Sequence, residues 1–109
     1  ISPGINTRFK ALNYYTGKLP LLSIKEDFPF LGNNTENAIV SGVLTGIIFE
    51  IDGYIDKLKT KYKDLKVVLT GGDGNFFAGR LKNTIFAEDD LLFIGLNKIL
   101  THNILKNNE

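Results

Sequence analysis

Along residues 40–62, apolar side chains recur every three or four positions: Val40, Leu44, Ile47, Ile51, Tyr54 with Ile55, Leu58 and Tyr62. That spacing keeps them on one side of a 3.6-residue turn and predicts a long amphipathic helix. A shorter run of the same period, Phe9, Leu12 and Tyr14 with Tyr15, predicts a helix from Asn6 to about Tyr15, stopped by Gly17. Between the two helices, "KLPLLSIKEDFPFLGNN" (18–34) carries Pro20 and Pro29 and no sustained period, so it reads as an irregular loop. "ISPG" (1–4) reads as the end of a strand running into a turn. "KVVLT" (66–70), β-branched and bounded by charges before and glycines after, reads as a buried strand. Residues 76–81 suggest a short helix, "LLFI" (91–94) a further strand, and residues 96–105 a closing helix with Leu96, Ile99, Leu100 and Ile104 inward. Helix and strand alternate, so the fold class is α/β.

Composition narrows the picture. The 109 residues suit a single domain or part of one, and 43% hydrophobic with 23% charged residues is globular rather than disordered composition. Thirteen Lys and Arg stand against twelve Asp and Glu, scattered, giving a net charge of +1. No basic stripe points to nucleic acid or to an anionic membrane surface. The chain has no cysteine, which removes disulfides, thiol nucleophiles and cysteine-ligated metals and fits a reducing compartment. The longest uncharged apolar stretch, Asn37 to Phe49, is too short to span a bilayer and contains Gly42 and Gly46. Nothing resembles a signal peptide. The chain lacks methionine and opens on "ISPG", so we read it as a piece of a longer protein whose residues 104–109 fray.

Several positions carry candidate chemistry beside a plainer alternative. Gly42, Gly46 and Gly53 share nearly one stripe of the long helix, where each costs roughly 1 kcal/mol against alanine. Close packing on a sheet or neighbouring helix is expected to offset that, the alternative being a subunit interface or ligand cleft. "GNNTEN" (32–37) precedes the same helix. Its Asn and Thr suit an N-cap and Glu36 suits the first turn, while exposed amides and the Thr35 hydroxyl also suit an anionic or hydroxylated ligand. His102 has no acidic or histidine neighbour at ligand spacing and reads as a solvated or packing residue. Asp89 with Asp90 reads as turn chemistry, and Asp52 with Asp56, near Lys57 and Lys59, as a solvated helix face. No nucleophile, base and orienting group can be assembled from the chain. In "VVLTGGDGN", Gly71 and Gly72 clear two side chains from the backbone at the carboxyl end of a strand, where open α/β sheets bind ligands. A simple turn is the plainer alternative.

Taken in order, "ISPGINTRFKAL…TGKLP", "GNNTENAIVSGVLTGIIFEIDGYI", "VVLTGGD" and "DDLLFIGLNKIL" closely resemble the C-terminal half of type III pantothenate kinases. The resemblance runs from Ile1 to about Asn103 and is carried by "ISPG", "LP", "NT..AI.SG...G" and "LTGG"; residues 23–30 and the tail do not carry it. It implies an actin-like, RNase H-like ATPase fold of two similar halves with nucleotide between them. It also implies ATP-dependent phosphorylation of pantothenate, the first step of coenzyme A synthesis. The ions implied are magnesium and a monovalent cation, potassium or ammonium, and the assembly implied is a cytoplasmic homodimer.

Carried over residue by residue, the resemblance makes Gly71 and Gly72 the adenosine motif. Thr35 matches the threonine that contacts pantothenate in a site completed at the dimer interface. Asn33 stands where the family more often has lysine. The family's phosphate loop, its Gly-x-Asp-Arg segment with the catalytic aspartate, and its cation-binding aspartate are expected upstream of Ile1. The chain therefore holds no catalytic and no metal-binding residue of that pattern, and by itself is expected to be inactive. Two alternatives remain: another kinase of the actin-like superfamily, against which the "NT..AI.SG" block speaks, or a non-catalytic accessory factor linked to transcription.

Overall fold

The structure is a computed structural model that describes residues 1–87. The strand expected at 91–94, the closing helix, His102, Asp89 with Asp90 and the tail lie outside the described residues. The described elements are α1 (Ile5–Thr16), α2 (Thr35–Lys61), β1 (Val68–Leu69), α3 (Gly74–Ala78) and β2 (Phe86–Ala87), an α/β succession. The chain divides into two compact units, Ile1–Tyr62 and Lys63–Glu109.

In the first unit α1 packs on α2. Ile5 and Phe9 of α1 and Ile39, Val40, Val43, Leu44 and Ile47 of α2 are buried, with Phe9, Val40 and Leu44 almost wholly enclosed. Burying each such side chain contributes roughly 1.5–3 kcal/mol before chain entropy is counted. α1 stops where the sequence indicates: Gly17 takes φ 67° and returns its N–H to the Asn13 carbonyl. The Asn13 amide then donates to the Leu19 carbonyl at 2.8 Å, and the Thr16 hydroxyl accepts from Leu19 N at 3.1 Å, which turns the chain into the loop. Residues 1–4 form no strand among the described residues; Gly4 is extended at φ −78°, ψ −178° and leads directly into α1.

α2 begins five residues before Val40, where the apolar period starts. Capping sets its first turn: Asn34 Oδ1 accepts from Asn37 N at 2.8 Å, Glu36 lies in the first turn, and Lys59 and Lys61 lie in the last. The apolar stripe extends further than the burial does. Ile55 is buried, whereas Tyr54, Leu58 and Tyr62, expected inward, are exposed. Periodicity reports which side of a helix is apolar, and not whether anything covers it.

Three other expectations for α2 change. A Cβ built on Gly42, Gly46 or Gly53 would meet no atom within 4 Å, so the expected close packing of the glycine stripe is absent among the described residues. Asp52 is buried and Asp56 half-buried, and each engages a partner, so the pair is not a solvated face. A carboxylate held out of water needs such a partner, and neighbouring lysines in sequence do not reveal it. The helix is also, by length and composition, apolar enough to cross a membrane, because the window continues past Phe49. Core helices of proteins pass the same test, and 44% of that window is buried inside the protein.

The loop returns to α2 at Phe30 and at Gly32. Ser41 Oγ donates to the Phe30 carbonyl, and the backbone at Gly32 lies so close to the helix that a Cβ there would sit 2.2 Å from Ala38 N.

In the second unit β1 and β2 pair in parallel, Val68 opposite Phe86 and Leu69 opposite Ala87. The strand expected at 66–70 is therefore shorter, and Val68 is exposed rather than buried. β2 was not visible in the sequence, since two paired residues are too few to show a period. α3 lies between the strands and starts two residues earlier than the apolar run suggests. Phe76, Phe77 and Leu81 are buried, and Arg80 closes the helix end, donating to the Phe76 carbonyl at 2.7 Å with its guanidinium 3.9 Å from the Phe76 ring centroid.

Candidate substrate groove and glycine turn

An apolar groove of about 860 Å³ runs between α1 and α2. Leu12, Tyr15 and Leu19 form one wall and Ile39, Gly42 and Val43 the other. Its polar lining includes Thr35 and Arg8. Thr35 is the first residue of α2 and is exposed, while the cap is Asn34. Of the two roles weighed for "GNNTEN", capping falls on Asn34, which accepts from Asn37 N, and the Thr35 side chain stands at the groove without that duty.

Arg8 is held firmly. Its Nε donates to the Pro3 carbonyl at 2.9 Å, and its Nη2 donates to Ser2 Oγ at 3.0 Å and to Glu50 Oε2 at 2.6 Å. Hydrogen bonds from Ser2 and Arg8 hold the Glu50 carboxyl below the ordinary glutamate value. Sequence reasoning missed this pair because Glu50 lies 42 positions along the chain from Arg8, and no local spacing connects them.

The glycine turn is built differently. Gly71 has φ 107°, a conformation that side chains rarely adopt, and its carbonyl accepts from Gly74 N at 3.3 Å. Asp73 offers no side-chain cap; its carbonyl accepts from Phe76 N at 3.1 Å. Gly72 has no positive φ, and a Cβ on Gly71 or Gly72 would meet no atom of the described residues within 4 Å. Gly74 is buried, with its Cβ direction 3.8 Å from Leu69. Only Gly71 is thus required by backbone shape. Gly72 presents bare backbone for which the described residues give no internal reason.

Residues 1–57, which include Arg8, Thr35 and Glu50, match the family model for type III pantothenate kinase. The type III pantothenate kinase of Cytophaga hutchinsonii is 48% identical over 104 residues, 95% of this chain. The chain belongs to the type III pantothenate kinase family. Similar type III pantothenate kinases include that of Flavobacterium psychrophilum, 48% identical over 91% of this chain, and that of Phocaeicola vulgatus, 50% identical over 94%. The chain spans 44%, 41% and 43% of these three relatives' own lengths. Of the candidate residues, Thr35 lies inside the matched type III pantothenate kinase segment, while Gly71 and Gly72 lie beyond it.

Proposed function

We propose that the protein to which these residues belong transfers a phosphoryl group from ATP to pantothenate, giving 4'-phosphopantothenate, the first step of coenzyme A biosynthesis. The observation that carries this reading is the 48% identity to a type III pantothenate kinase across 95% of the chain. We further propose the actin-like, RNase H-like ATPase fold, with residues 1–109 in its C-terminal half, and a cytoplasmic homodimer that engages neither nucleic acid nor membrane.

Within that reading, Gly71 and Gly72 form part of the adenosine wall and Thr35 contacts pantothenate where two subunits meet. The open space beside Gly71 and Gly72 supports close approach of a flat ligand to backbone. The Thr35 hydroxyl, relieved of capping by Asn34, is suited to a hydrogen bond with substrate. ATP supplies the phosphoryl group when bound; these residues bind and orient. Among the described residues no group of three His, Cys, Asp or Glu is placed to hold a metal ion. The residues that hold magnesium and the monovalent cation, potassium or ammonium, are assigned to sequence outside residues 1–109. The catalytic aspartate and phosphate loop are assigned to sequence outside residues 1–109.

The test is an ATP- and pantothenate-dependent turnover assay on the full-length protein, beside purified residues 1–109. Turnover by the full-length protein with none from the fragment is expected. A folded full-length protein that binds nucleotide without phosphorylating pantothenate would move the reading to an accessory factor, and turnover of a different acid or sugar to another kinase. Turnover by the fragment would overturn the assignment of the chemistry outside it.

A further inference from the structure

Among the described residues lining the groove between α1 and α2, Arg8 carries the one formal charge. One edge of its guanidinium is committed: Nε to Pro3, and Nη2 to Ser2 and Glu50. Nη1 has no partner among the described residues. A planar guanidinium fixed along one edge has its remaining nitrogen fixed in direction, so little further side-chain freedom is lost when that nitrogen binds something.

The groove's volume, about 860 Å³, lies within the range of small-ligand sites, roughly 300–1,000 Å³. Its lining is apolar apart from a few groups, with Thr35 and Arg8 among them. Pantothenate matches that inventory: an apolar gem-dimethyl centre, hydroxyl and amide groups, and a single carboxylate. We propose that Arg8 is a specificity-determining residue whose Nη1 donates to the substrate carboxylate, with Glu50 as the positioning residue that aims it. This rests on the pantothenate kinase reading above. Because Glu50 already balances the charge of Arg8, the contribution is a directed, charge-assisted hydrogen bond rather than long-range attraction. A ligand of equal size lacking the carboxylate forfeits that bond.

The test compares kcat/KM of the full-length enzyme for pantothenate and for the corresponding primary alcohol, in which a hydroxymethyl group replaces the carboxylate. Their ratio does not depend on the fraction of active protein, so partial misfolding does not disturb it. Arg8→Gln is expected to lower the acid-to-alcohol ratio about 10-fold or more. Glu50→Gln is expected to lower it less, through a higher KM for pantothenate at unchanged kcat. Arg8→Lys keeps a charge without the fork, and serves if Arg8→Gln does not fold; it should lower the ratio in part. An active wild type whose ratio survives both Arg8 substitutions overturns the role of Arg8 alone. A folded wild type that phosphorylates neither compound overturns the kinase reading and this inference together.

Discussion

Gly32 and Gly72 stand ahead of helices in different units, and they are glycine for opposite reasons. At Gly32 the missing side chain is demanded from inside: a Cβ would sit 2.2 Å from Ala38 N, in the first turn of α2. At Gly72 nothing among the described residues lies within 4 Å of the same atom and φ is not positive. A glycine pressed against its own chain is accounted for by folding. A glycine facing open space is accounted for only by something that arrives from outside the described residues, or by nothing at all.

The sharpest way to break this contrast is to add one methyl group at each position. Gly32→Ala must displace helix backbone, which does not yield as a flexible side chain does, and should destabilise the full-length protein by on the order of 3 kcal/mol. A melting temperature within a degree or two of wild type would mean that the loop and helix are not held as close as described. Gly72→Ala should leave the melting temperature almost unmoved. Gly72→Val, by contrast, should keep the fold and weaken ATP affinity about 10-fold or more in a direct titration, because a branched side chain would occupy the nucleotide's approach. Unchanged affinity in that variant would reduce the turn to chain reversal. Gly71 is a poorer probe, since at φ 107° any side chain strains the turn whether or not nucleotide binds.

A smaller effect separates Asn34 from Thr35. Asn34→Ala should cost about 1 kcal/mol of stability through loss of the cap. Thr35→Ala should cost little stability and raise the pantothenate KM about 10-fold, while Thr35→Ser restores most of the binding. Equal falls in melting temperature for the two alanine variants, with pantothenate saturation untouched in both, would return Thr35 to a structural role.

The legible parts of the chain are those where one local rule decides. Gly17 ends α1 because a left-handed residue is needed there, and that need is written in one letter. The middle of α2 is legible from its period, from Val40 to Ile55. Its beginning is not, because the period starts at Val40 while the helix is set by the Asn34 cap. β2 escaped notice since its identity depends on pairing with Val68 and Leu69, which no spacing encodes. Asp52 was misjudged for a related reason: a buried carboxylate is explained by its partner in space, and the lysines beside it in sequence suggested solvent. In the candidate site, Thr35, Gly71 and Gly72 were visible through motif resemblance. Arg8 and Glu50 were not, being brought together only when α1 lies on α2.

Two attachments of the loop to α2, Ser41 to the Phe30 carbonyl and Gly32 against Ala38, bear on which changes the loop can take without disturbing the helix. They fasten the end of the loop, from Phe30 onward, to the helix that carries Thr35. A one-residue insertion before Phe30 is therefore expected to re-aim the Thr35 hydroxyl less than the same insertion between Phe30 and Asn34. The same two fastenings leave residues 30–35 little room to shift without moving the start of α2.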